Sequence, residues 1–376
     1  MPRHPAIVAD QSLQPRAEHT RKSGSVIAQP ATRPSPLLAA AIPGGPELRR
    51  LVARHQAPEL RKSIWQLATT LALFVGGCAL MYASLGISYW LTLVLALPTS
   101  GFLVRLFIIQ HDCGHGAFFR SKRANDAVGT LCSLLTLTPY ALWRRQHAGH
   151  HAMWNNLDHR DTGVDMYSTC LTAEEYGALS RWRRLGYRLI RNPVFSLILL
   201  PPLIFLLLYR VPFDTPASWR LERHSVYATN AAIAVVLVAL AATLGAVPVL
   251  LVQFSVMAGA AIVGVWLFSV QHRFENAVWL RDGDWRAEAA ALGGSSYLHL
   301  PRVLQWFTGN IGFHHIHHLN PRIPNYRLES CHAALPEPRA IPTLTLGSAL
   351  GSYRYALWDE ALGKMVSFRA AEAGLA

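Results

Sequence analysis

The chain has 376 residues, of which 51% are hydrophobic and only 15% charged, with a net charge of +13. Soluble domains carry about 25% charged residues, so the deficit argues against a soluble globular enzyme and for a membrane protein. The positive balance comes without a recognisable nucleic-acid module, so no nucleic-acid partner is expected; it fits Lys and Arg gathered in cytoplasmic loops.

Residues 1–45 are rich in Pro, Arg, Ser and Ala and have no sustained apolar period, so a disordered cytoplasmic tail is expected there. Arg49, Arg50, Arg54, Arg61 and Lys62 follow. Residues 64–85 and 89–109 are each long enough to cross a bilayer, since about 20 helical residues cover a hydrocarbon core of about 30 Å. Their link, GIS, is uncharged. A basic approach and an uncharged turn predict a transmembrane hairpin with its open end in the cytoplasm. The apolar run 127–142 is too short for a simple span. Residues 194–209 contain Pro201-Pro202 and have arginines on both sides: Arg181, Arg183, Arg184, Arg188 and Arg191 before, Arg210 after. That symmetry predicts an interfacial or re-entrant segment. Residues 226–245 and 249–270, joined by the uncharged AVP, form a second predicted hairpin, oriented like the first by Arg220, Arg223 and His224 before it and His272 and Arg273 after it. The five cysteines, Cys78, Cys113, Cys132, Cys170 and Cys331, are scattered without a CxxC pair, which argues against a disulfide framework or thiolate zinc. Residues 346–376 carry no readable chemistry. The expected fold is all-α: an integral membrane protein with four transmembrane helices in two hairpins, a cytosolic helical cap, and termini and histidines on the cytoplasmic side.

The chemistry lies in three histidine clusters. HDCGH holds His111 and His115; HAGHH holds His147, His150 and His151; GNIGFHHIHHLN holds His314, His317 and His318. Residues at i, i+3 and i+4 share one face of a helix, so one turn can present imidazoles to two adjacent ions. Thiolates are missing, which disfavours structural zinc, and the ligands are not oxygen-only, which disfavours magnesium and calcium. Imidazole suits iron, copper and zinc, and eight imidazoles exceed what one ion takes, so two ions are implied. A transporter would place its polar ligands near the bilayer midplane; these histidines lie past the helix ends, which favours an enzyme centre.

HDCGH, HAGHH, SVQHRFE at 269–275 and GNIGFHHIHHLNPRIPNY, in this order around two hairpins, resemble the membrane-bound fatty acid desaturases, and among them the bacterial and cyanobacterial acyl-lipid desaturases of the omega-6 kind. The resemblance runs from about residue 60 to about residue 340, within a membrane desaturase domain placed at 46–345. It implies a cytosol-facing di-iron centre that removes two hydrogens from a fatty acyl chain with dioxygen and two electrons. By position it makes His111, His115, His147, His150, His151, His314, His317 and His318 iron ligands. His272 lies just past the fourth apolar run, as His111 lies just past the second, and is expected to be a ninth ligand. If that helix continues, Glu275 and Asn276 face the same way as His272. Together with Asp112, Asn310 and His315, they are expected to support the ligands through hydrogen bonds. The stretch AMWNNLDHRD after the second cluster is bulkier than the small residues usual there. IPGG at 42–45 lacks the histidine of a haem-binding HPGG, so no fused cytochrome b5 domain is expected, and electrons come from an external ferredoxin or cytochrome b5-type donor. The alternative reading is a membrane hydroxylase or monooxygenase acting on an alkane, sterol or carotenoid with the same kind of centre.

Overall fold

The computed structural model describes residues 45–160, 167 and 169–375. All of the expected N-terminal tail except Gly45 lies outside them.

The chain is mostly helical. After a short α1 (Pro46–Ala53) come the long helices α2 (Leu60–Ser84) and α3 (Tyr89–Gly114), then α4 (Lys122–Leu135) and α5 (Tyr140–Ala152). Short helices α6 (Ala173–Ala178) and α7 (Arg181–Arg191) lead to a π-helical turn (Val194–Leu199) and α8 (Leu200–Leu206). Two further long helices follow, α9 (Arg220–Leu244) and α10 (Ala246–His272), then α11 (Ala287–Gly294), α12 (Arg302–Phe307), α13 (His314–Leu319) and α14 (Asn325–Ala333).

Helices α2, α3, α9 and α10 are long and apolar enough to cross a membrane. Their outward residues are apolar: Trp90 is 79% and Leu97 74% exposed, with Val235 and Val238 similar. A soluble protein could not leave so much apolar surface bare; lipid is the solvent that suits it. The inward contacts use small and hydroxylated residues, as helices packed in lipid do. Gly259 of α10 sits against Ser100 of α3, whose hydroxyl donates to the Val256 carbonyl at 3.0 Å. The Ser84 and Thr92 hydroxyls of α2 and α3 meet at 2.7 Å. At the opposite ends of the same two helices, the Ser63 hydroxyl donates to the Phe118 carbonyl at 2.7 Å. The start of α2 is thus held beside the end of α3.

The expected segment 194–209 is helical and set off from the helix before it by a bend. Residues 181–191 and 194–210 form a helix pair bent by 53°. The bend falls at Asn192–Pro193, where Pro removes a backbone donor; the Asn192 side chain accepts from the Val194 and Phe195 amides instead.

An all-α reading leaves out small strands. The strands β1 (Leu171–Thr172), β2 (Tyr297–His299), β3 (Thr343–Thr345), β4 (Leu357–Asp359) and β5 (Lys364–Val366) form a three-stranded sheet, β1-β4-β5, and a parallel pair, β2-β3. Each is two or three residues long, too short to leave an alternating pattern in sequence. They give the C-terminal segment a structural place. The Met365 amide donates to the Glu275 carbonyl at 2.8 Å, and Arg273 donates to the Tyr353 and Tyr355 carbonyls. The last stretch of chain therefore braces the loop that follows α10.

One close approach sets where α5 lies. A Cβ on Gly129 of α4 would fall inside contact distance of the buried Tyr140 ring of α5. Gly129→Ala is expected to lower stability by about 1–3 kcal/mol through overpacking. Gly186→Ala, where nothing lies within 4 Å, is expected to be neutral or slightly stabilising. Thermal denaturation of both variants in one detergent checks this.

Candidate metal centre

Four helices bring nine histidines together. His111 lies in the last turn of α3, and His115 caps that helix. His147, His150 and His151 share one face of α5. His272 is the last residue of α10. His314, His317 and His318 lie on the single short helix α13.

Their nitrogens form two groups. His111, His115, His147, His151 and His317 have ligating nitrogens all within 4.8 Å of one another, and so do His150, His272 and His318. His314 joins the smaller group, with its Nε2 at 2.9 Å from His272 Nε2 and 3.2 Å from His318 Nε2. The groups touch where the His151 and His318 rings stack at 4.3 Å. All eight box histidines and His272 are therefore in one cluster.

Burial holds His115, His147, His151, His314, His317 and His318 well below the ordinary imidazole value, and the neighbouring imidazoles push in the same direction. Neutral rings are metal ligands. Within the cluster, Nε2 atoms lie 2.9 Å (His317–His151), 3.1 Å (His151–His147) and 3.3 Å (His150–His318) apart. Two nitrogens each about 2.1 Å from one ion and at right angles would be about 3.0 Å apart. The buried Nε2 of His115 has no hydrogen-bond partner among the described residues. Converging lone pairs at this spacing fit a cation between them better than they fit one another.

The support comes from another part of the chain. The Asp112 carboxylate is buried and faces His111 Nδ1 at 3.4 Å. Its other oxygen accepts from the Asn325 backbone amide at 2.7 Å and from the Asn325 side chain at 2.8 Å. Asn325 Oδ1 in turn accepts from Gln66 of α2. A carboxylate against a ligating imidazole fixes its tautomer and orientation. Asp112 lies directly against His111. Asn325 stands in the quoted PRIPNY motif but had been given no role.

The other expected supports are placed differently. Helix α10 stops at His272, where the Arg273 backbone leaves helical geometry, so the i+3 and i+4 relation to Glu275 and Asn276 is lost. Both are exposed; Glu275 accepts from the Tyr355 hydroxyl at 3.0 Å and pairs with Lys364. They turn away from the histidines, which corrects that expectation. Asn310 shapes the chain instead. It follows Gly309, both in left-handed backbone (φ 59° and 54°), and its side chain donates to the Asn325 carbonyl at 3.2 Å. This turn delivers α13. His315 points away from the cluster to His332, Nε2 to Nδ1 at 2.9 Å, and burial pushes its imidazole down to about 3.

Two aromatic neighbours carried no assigned role. Trp143 stacks on His147 at 4.8 Å, and Trp154 lies 3.7 Å from His272, ring centre to ring centre. Trp154 is the bulk noted after the second cluster.

A cavity of about 410 Å³ opens beside the histidines. His111, His147, His150 and His314 line one end, and Phe107, Phe205, Ala260, Gly264 and Leu267 line the remainder. It follows α10 from Met257 to Gln271, about 20 Å at 1.5 Å per residue.

Comparison with known proteins places this arrangement. Residues 88–344 match the fatty acid desaturase family. The chain is 45% identical to a fatty acid desaturase of Bacillus subtilis, over 86% of this chain and 91% of that protein. It is 27% identical to an sn-1 oleoyl-lipid 12-desaturase of Synechocystis, over 70% of this chain and 74% of that protein. It is 26% identical to a chloroplastic omega-6 fatty acid desaturase of Arabidopsis thaliana, over 66% of this chain and 54% of that protein.

Asn325→Ala removes one of the two donors that Asn325 gives the buried Asp112 carboxylate. A loss of about 1–3 kcal/mol is expected, read as a lower unfolding temperature, while Asn320→Ala on the half-exposed turn changes it little.

Proposed function

The chain belongs to the fatty acid desaturase family and is a fatty acid desaturase, and on that premise we propose that it desaturates a lipid-borne acyl chain at a di-iron centre held by the nine histidines, using dioxygen and electrons from an external donor. The observation that carries the reading is an apolar cavity ending on four histidines of a cluster that divides into two donor groups. The proposed ligands are His111, His115, His147, His151 and His317 for one ion, and His150, His272, His314 and His318 for the other.

Bound iron would supply the dioxygen activation that side chains cannot perform. The protein's part is placement. Phe107, Phe205 and Leu267 give an acyl chain an apolar lining and exclude water along it. Ala260 and Gly264 leave room on α10. The histidines lining the cavity set which carbon–hydrogen bonds approach the centre. Asp112 holds His111 in one orientation. The desaturase names of the relatives favour desaturation over hydroxylation.

The proposed topology is two transmembrane hairpins, α2–α3 and α9–α10, with the termini and the centre on the cytoplasmic side. Its support is that His111 and His272, at the ends of α3 and α10, meet in one cluster. The basic residues before α2 and α9 lie on that same side.

Expression in a host with a simple lipid profile, followed by gas chromatography of fatty acid methyl esters, tests the reaction. The wild type is expected to add a double bond; His147→Ala is expected to lose it together with bound iron. A hydroxy acid product would select the monooxygenase reading, and full activity of His147→Ala with unchanged iron would remove that residue from the ligands. For topology, a cysteine introduced at Arg184 is expected to resist labelling from the outer face, and one at Gly86 to react. The reverse pattern would refute the two-hairpin arrangement.

A further inference from the structure

Trp154 touches the smaller histidine group with one ring. Its ring centre lies 3.7 Å from His272, 4.8 Å from His150 and 5.3 Å from His318. The indole is 5% exposed, and its Nε1 has no hydrogen-bond partner among the described residues. A buried unpaired donor is costly. Phenylalanine would fill much of the space without that cost, so packing alone is a poor reason for tryptophan here.

On its other side Trp154 is joined to a second indole. Its backbone carbonyl accepts from Trp285 Nε1 at 2.7 Å. Trp285 is half-buried, in a stretch where residues 281–284 are exposed. Trp279, 5.8 Å from Trp154, is another aromatic neighbour, but it is buried in a core with Phe274 and Trp358. Of the two, Trp285 is the one that reaches solvent. Neither Trp154 nor Trp285 lines the acyl cavity, and neither do His272 and His318. The smaller histidine group therefore has one side toward substrate and another toward these indoles.

We infer that Trp285 and Trp154 form the conduit by which electrons from the external carrier reach the metal-ligating histidines. The inference rests on the proposed desaturase function. Each passage takes one electron from a one-electron carrier of the iron–sulfur or haem class and leaves the carrier oxidised by one. The centre is reduced by one. Both indoles end unchanged, with no bond made or broken and no proton moved. The physical gain is continuity: electron tunnelling weakens steeply across gaps, and here a hydrogen bond and a ring contact replace them. Trp285 sets where a carrier must approach. Trp154 would be a positioning and electron-transfer residue, since it acts through the imidazoles.

The test uses full-length protein loaded with iron and oxidised to the ferric state, in lipid nanodiscs, mixed anaerobically with photoreduced [2Fe–2S] ferredoxin and, separately, with a reduced cytochrome b5-type haem protein. The carrier's own absorbance reports its oxidation over a range of carrier concentrations, and iron per chain is measured on the same samples. Trp285 touches no histidine in the cluster, so Trp285→Leu should leave iron content at the wild-type level. Its oxidation rate at saturating carrier is expected to fall by roughly an order of magnitude. Trp154→Phe, which keeps a ring, is expected to run faster than Trp154→Leu at equal iron content. Trp182→Leu, an exposed tryptophan on α7, is expected to match the wild type. A saturating rate in Trp285→Leu equal to wild type, including the case in which only the half-saturating concentration changes, would overturn the conduit. If the wild type oxidises neither carrier in an iron-dependent way, the proposed function itself fails and the conduit with it.

Discussion

Nine imidazoles packed into one cluster cannot all carry charge, and this is the constraint on which the rest of the structure depends. Charged rings at ring-to-ring distances of 4.3–5.0 Å would repel strongly with little water to screen them. Burial lowers the affinity of His147 and His317 for protons, and the neighbouring imidazoles lower it further. The same neutrality leaves lone pairs facing one another. A fold that assembled this cluster without a cation would carry a cost that a bound cation removes.

The membrane helices satisfy this demand by running beyond their apolar stretches. Helix α3 continues to Gly114 and so carries His111, while α10 ends on His272 itself. Two rigid helices packed against each other through Ser100 and Gly259 fix the separation of those two histidines. The remaining histidines of the cluster come on short helices that need bracing. The left-handed turn at Gly309–Asn310 and the link from Asp112 to Asn325 tie α13 and α14 to the end of α3. The cavity between α3, α8 and α10 and the histidine cluster share a boundary, because His111, His147, His150 and His314 line both.

Much of this was legible in the sequence because its physics is local. Apolar runs of bilayer length marked the four long helices, and the i, i+3, i+4 spacing marked histidines on one helical face. His272 could be read from its place at a helix end, like His111. What escaped depends on contacts distant in sequence. Asn325 meets Asp112 across 213 positions, and nothing in PRIPNY says which residue it serves. Glu275 and Asn276 were misplaced because helical spacing was carried one turn beyond the point where α10 stops. Trp154 was visible only as excess bulk; that it lies on His272 required the fold. Strands of two or three residues are set by their partners, so β1, β4 and β5 left no pattern of their own.

The central claim is that the nine histidines hold two metal ions in unequal donor sets. Mössbauer spectroscopy of protein loaded with iron-57, with metal content measured on the same sample, addresses it directly. The account predicts two irons per chain and two quadrupole doublets of equal area, from two distinct nitrogen-rich sites. One iron per chain, or a spectrum dominated by sulfur ligation, would contradict it.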